Sequence, residues 1–247
     1  MKIIVDGKTC EAEAGQFLKE AARQNGIEIP SLCHHSALPG QACCRLCIVE
    51  VEIEGHEANR TVVVSCVYPV KESITVYTNS EKIIRLRRNV LALLKERVPE
   101  PEGALAEYCR EYGVLGQNLR FNVKEDEKCI LCGLCVKACG ELGNNAIQTA
   151  MRGIEKLVTT PFNEPSSACI GCASCARVCP AHAIDCFNKD DKRTIWGKDF
   201  TLVKCVACNE PYATEEELKW LKDRLLDTEL NHEYCPKCRG RASIKSQ

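Results

Sequence analysis

Two stretches of the chain carry the same pattern of thiols. Cys129, Cys132, Cys135 and Cys139 form a C-x2-C-x2-C-x3-C run, and Cys169, Cys172, Cys175 and Cys179 repeat it. Thiolates at this spacing suit a cubane iron–sulfur cluster: three close cysteines wrap one face, and the fourth in line points away. Where such runs come in pairs, that fourth cysteine ligates the other cluster. The expected ligand sets are therefore Cys129, Cys132, Cys135 and Cys179 for one [4Fe–4S] cluster, and Cys169, Cys172, Cys175 and Cys139 for a second. Gly133 and Gly171 let backbone N–H groups approach the sulfurs. Pro180 follows Cys179, whereas Gly140 stands at the matching place after Cys139. Related tails, Asn145-Ala146-Ile147 and His182-Ala183-Ile184, close both copies, so the repeat is structural as well as chemical.

A further four cysteines, Cys205, Cys208, Cys235 and Cys238, make two C-x2-C knuckles, the donor set of a tetrahedral S4 site. Zinc is the expected metal and a rubredoxin-like single iron its rival. Rubredoxin knuckles usually place glycine after the second cysteine, where Asn209 and Arg239 stand here. Lys237, Arg239, Arg241 and Lys245 form a small basic tail beside this site, read as a solvated terminus or a protein-contacting surface.

The bulk numbers agree with metal ligation. Twenty cysteines in 247 residues imply either a disulfide framework or metal sites. The start, Met1 to Gly7, lacks the apolar core of a secretory signal, and no apolar run approaches the ~18 residues of a bilayer span. A cytoplasmic location with metal-bound thiolates is expected. Thirty-three Lys and Arg against 34 Asp and Glu leave no basic field for nucleic acid. Aromatic residues make up only 5%, so several small modules stapled by metals suit the chain better than one large core.

These residues need elements to position them. Lys2–Val5, a turn at Asp6-Gly7, and Thr9–Ala12 read as a hairpin. Phe17–Gln24 has helical spacing and ends at Asn25-Gly26. Cys47–Ile53, a turn at Glu54-Gly55-His56, Thr61–Ser65 and Ile74–Thr78 read as strands. That order, around a cysteine-bearing loop, is the order of a β-grasp ferredoxin. Ser80 is an expected N-cap for a helix over 81–97, Leu105–Tyr112 a second short helix, and Glu215–Leu226 a helix between the tail knuckles.

Ile29-Pro30-Ser31-Leu32-Cys33-His34, Cys44-Arg45-Leu46-Cys47-Ile48-Val49-Glu50-Val51 and Ser65-Cys66-Val67-Tyr68-Pro69-Val70 resemble the amino-terminal [2Fe–2S] domain in the large iron–sulfur subunit of respiratory complex I. The same domain occurs in related subunits of NAD-linked hydrogenases and formate dehydrogenases. The resemblance covers about residues 1 to 190. It implies that Cys33, Cys44, Cys47 and Cys66 hold a [2Fe–2S] cluster, with Cys44 rather than Cys43 as ligand because the C-R-x-C unit contains it. Arg45 would offset the charge of that cluster, and His34 and His35 flank Cys33. The family also carries a cluster held by one histidine and three cysteines after the linker helix. Here Lys95 to Arg120 holds no histidine and only Cys109, so that cluster is not expected. Cys10, Cys43, Cys109 and Cys186 remain as ordinary thiols.

The expected class is α+β: a [2Fe–2S] β-grasp domain over 1–79, a helical linker over 80–121, a two-cluster [4Fe–4S] ferredoxin domain over 122–190, and a zinc-ribbon or rubredoxin-like tail over 194–247. Neither G-x-G-x-x-G after a strand nor a G-x-x-x-x-G-K-[ST] loop is present. Hydride chemistry thus falls to another subunit. The resemblance implies an electron-wire subunit of a multi-subunit NAD(P)-linked, flavin-dependent oxidoreductase of hydrogenase, formate dehydrogenase or electron-bifurcating transhydrogenase type. Its partners would be a flavin subunit similar to the NADH-oxidising subunit of complex I, and a second redox subunit or ferredoxin. A free-standing polyferredoxin and an iron–sulfur nucleic-acid-binding regulator are the alternatives. No residue is assigned a catalytic role.

Overall fold

The computed structural model describes residues 1–53, 59–116, 126–224 and 233–245, the last five as backbone alone. The expected turn at 54–56, the start of the expected cluster domain at 122, the end of the tail helix at 225–226 and the side chains of Arg241 and Lys245 lie outside these residues. The chain divides into two compact units. One comprises 1–134 with 151–157 and 180–183; the other comprises 135–150, 158–179 and 184–247.

The first unit is built on a five-stranded sheet. Strands β1 (Lys2–Val5) and β2 (Lys8–Glu11) form the expected hairpin. Asp6 (φ 47°) and Gly7 (φ 82°) both sit at positive φ, the geometry that matches hairpin twist. Helix α1 (Leu18–Gln24) follows, its chain leaving at Gly26 with φ 76°. Strands β3 (Ile48–Ile53), β4 (Thr61–Val64) and β5 (Ile74–Tyr77) complete the order β2-β1-β5-β3-β4, with β1 and β5 parallel. This is the β-grasp order. Leu18, Ala21 and Ala22 of α1 pack with Ile3, Val5, Val49, Val51 and Val76 of the sheet into one core.

Helix α2 (Glu81–Arg97) starts as expected, with Ser80 Oγ accepting from the Ile83 N–H at 3.3 Å. Helix α3 (Gly103–Glu111) packs beside it and buries Leu105, Ala106 and Cys109. Gly103 has φ +56°, and a Cβ there would meet the Pro180 carbonyl at 2.7 Å, so the position requires glycine.

The second unit contains α4 (Leu134–Glu141, its first residue belonging to the other unit), α5 (Ser174–Arg177) and a four-stranded sheet. A short pair joins β6 (Gln148–Ala150) and β7 (Leu157–Thr159). The larger sheet runs β8 (Cys186–Lys189), β9 (Lys192–Ile195), β10 (Lys198–Lys204) and β11 (Pro211–Thr214), all antiparallel and in sequence order. This sheet is not among the elements expected from the sequence, and its first hairpin spans the boundary expected at 190–194. Asp190, Trp196 and Gly197 supply the positive φ of the two tight turns. Helices α6 (Glu215–Arg224) and α7 (Pro236–Lys245) follow. No helix among the described residues is long and apolar enough to cross a membrane.

Candidate functional site

Cys33 and Cys44 lie on the loop before β3, Cys47 just ahead of it, and Cys66 just beyond β4, and all four are buried. Their sulfurs fall into two pairs. Cys33 hydrogen-bonds Cys44, and Cys66 hydrogen-bonds Cys47. As the acceptor of its partner's thiol, Cys44 is held down to about 6, and Cys47 likewise to about 6. Cys33 and Cys66, the donors, are pushed above the ordinary thiol range. Backbone N–H groups point at this set: Leu32 donates to Cys44 Sγ and Cys44 to Cys33 Sγ, both at 3.3 Å. Two pairs of mutually close sulfurs cannot all ionise without added positive charge. A dinuclear iron centre, with two thiolates per metal, meets that requirement.

The loop geometry around these sulfurs is enforced. A Cβ at Gly40 would meet the Cys66 carbonyl at 2.6 Å. Ala42 (φ 53°) and Arg45 (φ 59°) both adopt the left-handed region that turns a chain around a compact centre. Cys43 is exposed with its thiol on the Gln41 carbonyl, while the adjacent Cys44 is buried. His35 accepts from the Ala37 N–H, and neither His34 nor His35 donates to a sulfur among the described residues.

Arg45, the cation that the sequence points to, is exposed. The buried cations are others. Lys19 is 5% exposed, its Nζ donating to the Ile29 carbonyl, and it is close enough to feel Cys47, Cys66 and Cys44 electrostatically. Burial nevertheless lowers its pKa on balance. Arg87 of α2 is fully buried. Neither is signalled in the sequence, because an apolar-face pattern does not mark a cation buried within it.

In the second unit, Cys139, Cys169, Cys172 and Cys175 line one cavity, together with Ile147, Ile195 and Trp196. Cys139 comes from α4 and Cys175 from α5. The Ala146 N–H donates to Cys139 Sγ at 3.2 Å and Trp196 Nε1 to Cys175 Sγ at 3.5 Å. Lys198 Nζ donates to the Cys169 carbonyl at 3.1 Å, and the buried Arg193 to the Gly171 carbonyl at 2.8 Å. Burial raises the Cys169 thiol and pushes Cys175 up to about 11. A largely apolar cavity lined by four cysteines and met by N–H donors suits an anionic cluster whose metals displace those protons.

Of the other expected set, Cys129 and Cys132 belong to the first unit and Cys135 and Cys179 to the second. The Leu131 N–H donates to Cys129 Sγ at 3.3 Å, and Glu127 and Arg97 hold the Cys129 backbone N–H and carbonyl. The two copies of the repeat share a backbone signature. Leu131 and Gly133 are at positive φ in the first copy, Gly171 and Ala173 at the same places in the second. The tails match as well, with Asn145 and His182 both at φ 48°.

Cys205 follows β10, Cys208 precedes β11, and Cys235 and Cys238 lie at the start of α7. Their four Sγ atoms all lie within 4.8 Å of one another, a grouping found for no other set among the described residues. Cys208 and Cys235 Sγ are 3.9 Å apart. A tetrahedron of ~2.3 Å metal–sulfur bonds spaces its sulfurs by ~3.8 Å, so one metal ion fits. The Cys235 N–H holds Cys205 down to about 6, while its sulfur neighbours push Cys238 up to about 12. Asn209 sits at φ 58°, so asparagine meets the left-handed requirement that glycine usually meets in such knuckles.

Residues 1–81 match the 2Fe-2S iron-sulfur cluster binding domain, and residues 166–185 match the 4Fe-4S binding domain. The chain resembles the iron–sulfur subunits of NAD(P)-linked oxidoreductases. It is 31% identical over 73% of its length to the NADPH-Fe(3+) oxidoreductase subunit alpha of Geobacter sulfurreducens. It is 28% identical over 74% to NADP-reducing hydrogenase subunit HndD of Solidesulfovibrio fructosivorans. It spans only 23% and 36% of those two relatives. A chain of a crystal structure of NAD+-reducing [NiFe]-hydrogenase in the H2-reduced state superposes with a TM-score of 0.63 at 26% identity. That match covers 74% of this chain and 85% of the other.

Proposed function

We propose that this chain is the electron-wire subunit of a multi-subunit NAD(P)-linked, flavin-dependent oxidoreductase. It relays single electrons between a flavin-bearing partner and a second redox subunit or ferredoxin. Cys33, Cys44, Cys47 and Cys66 hold a [2Fe–2S] cluster. Cys129, Cys132, Cys135 and Cys179 hold one [4Fe–4S] cluster, and Cys169, Cys172, Cys175 and Cys139 hold another. When bound, such clusters supply one-electron chemistry at potentials from about −700 to +450 mV. Cys205, Cys208, Cys235 and Cys238 hold a structural zinc, which has no redox chemistry and serves the fold of the tail. Hydrogenase, formate dehydrogenase and electron-bifurcating complexes are the candidate hosts.

The observation that carries this reading is the meeting of Cys139 with Cys169, Cys172 and Cys175 around one cavity, because it joins cysteines from both copies of the repeat. Around it, Ala146 and Trp196 donate to sulfur, and Ile147 and Ile195 supply apolar walls.

Metal analysis and EPR of the anaerobically purified chain test the reading. About ten irons and one zinc, with one [2Fe–2S] signal, are expected. Near fourteen irons would refute the ligand assignment. Isolation of the native protein as a monomer, without a co-purifying flavoprotein, would favour a free-standing polyferredoxin.

A further inference from the structure

Arg87 is fully buried, yet its partners are all neutral. Its Nε donates to the Leu46 carbonyl at 3.0 Å and Nη2 to the Ile48 carbonyl at 2.8 Å. Its Nη1 reaches Asn79 Oδ1 and the Tyr112 hydroxyl, both at 3.2 Å. No carboxylate pairs with it among the described residues. The buried carboxylate of the same sheet, Glu50, is engaged instead by Ser80 Oγ and Lys82 Nζ. Leu46 and Ile48 are the residues on either side of Cys47, so the guanidinium grips the chain before and after that sulfur.

Burying an unpaired ion costs more than neutral acceptors readily return. Such a cation persists where a negative group nearby offsets it. Arginine keeps its charge at any physiological pH, so the offset cannot come from losing a proton. Four thiolates, two sulfides and two ferric ions sum to a dianion, and one electron makes it a trianion. A fixed positive charge favours the second state over the first. Arg45, exposed, is screened by solvent and acts far more weakly.

We propose that Arg87 is a built-in counter-cation of the [2Fe–2S] site, in addition to the buried Lys19. It holds Cys47 in place through the two flanking carbonyls, and its charge raises the reduction potential there. With the cluster bound, one electron from a low-potential donor would reduce one ferric ion to ferrous, and Arg87, acting as a fixed charge, would exchange no proton in that step. The inference rests on the assignment of Cys33, Cys44, Cys47 and Cys66 as the [2Fe–2S] ligands. It also gives helix α2 a role: through Arg87 and Tyr112, the α2–α3 pair is fastened to the cluster loop.

The test is an EPR-monitored potentiometric titration of the full-length, cluster-loaded chain and three variants. Arg87→Gln removes the charge and keeps hydrogen-bonding capacity. The [2Fe–2S] midpoint is expected to fall by about a tenfold change in the reduction equilibrium, which is 59 mV for one electron. Arg87→Lys retains the charge and most of the potential. Asn79→Asp places a carboxylate on the same Nη1 with Arg87 still in position, and lowers the midpoint as Arg87→Gln does. The [4Fe–4S] midpoints stay put in all three. If Arg87→Gln does not retain the cluster, Asn79→Asp against Arg87→Lys decides the question. Unchanged midpoints in variants with full cluster content overturn the inference and leave Arg87 a packing residue. Absence of any [2Fe–2S] signal from the parent chain overturns the ligand assignment instead.

Discussion

The cysteines near the start of the chain and those near its end share a spacing and reach opposite geometries. Cys44 and Cys47 are three residues apart, as are Cys205 and Cys208, yet Cys44 pairs with Cys33 and Cys47 with Cys66. In the tail, Cys205 and Cys208 turn toward each other and toward Cys235 and Cys238. The backbone between the cysteines makes the difference. Arg45 at φ 59° throws successive sulfurs to different partners, whereas the tail turn closes after its second cysteine, at Asn209. A C-x2-C spacing therefore announces a metal without stating how many ions it shares.

The largest effect that this contrast predicts is in the tail. If the tail site holds a structural zinc as proposed, it would contribute about 10–16 kcal/mol of binding energy that doubles as folding energy. Cys235→Ala is then expected to lose one metal equivalent and to lower the thermal stability of the tail, with iron content unchanged. Loss of iron would erase the contrast. Next in size is Cys66→Ser in the first unit, expected to cost two irons and the [2Fe–2S] signal while zinc stays bound. Metal analysis of the two variants side by side is the check: one ion lost from the tail, two from the amino-terminal site.

The sequence made much of this legible because the cysteines are clustered and regularly spaced. The hairpin at Asp6-Gly7, the helix over 81–97 with its Ser80 cap, and the two cysteine repeats were all readable from local chemistry. Less legible was whatever depends on distant chain. The four-stranded sheet over 186–214 is made of short strands with mixed burial, whose pairing is set by turns at Asp190 and at Trp196-Gly197. Asp and Trp at positive φ are weak turn signals. Arg45 stood out because it adjoins Cys44, but adjacency in sequence put it in solvent. Arg87, forty residues from Cys47, reaches the carbonyls of Leu46 and Ile48 only after α2 packs on β3.

The contrast extends to the two copies of the repeat. Leu131 and Gly171 occupy equivalent places at φ 55° and 69°. A Cβ at Gly171 would also strike the Phe200 ring at 2.6 Å, whereas the Leu131 side chain is already accommodated. Gly171→Ala is expected to cost about 1–3 kcal/mol and to reduce occupancy of the Cys139, Cys169, Cys172 and Cys175 site. Leu131→Gly relieves rather than adds backbone strain and should keep its cluster. Equal cluster loss in both variants, read from iron content and thermal melting, would show that the copies are not held by different means.

The smallest effect concerns charge. In the first unit the buried charges are the cations Lys19 and Arg87 and the carboxylate of Glu50, which Ser80 and Lys82 engage; in the tail the half-buried Glu217 of α6 has Oε2 without a hydrogen-bond partner. Burial raises the Glu217 pKa above its usual 4.5, against the pull of the Thr214 N–H and of Arg193 and Arg177. The folded chain thus holds this proton more tightly than the unfolded chain does. The associated stability is complete below about pH 4.5 and is lost as pH rises through the raised value. Glu217→Gln, which keeps the shape and cannot ionise, is expected to melt slightly higher than the parent at pH 7, by under about 1 kcal/mol since the site is partly solvated. The two should converge on acidification. A variant less stable than the parent at neutral pH would mean that the carboxylate is held by Arg193 and Arg177, and that the tail, like the amino-terminal site, has its charges matched.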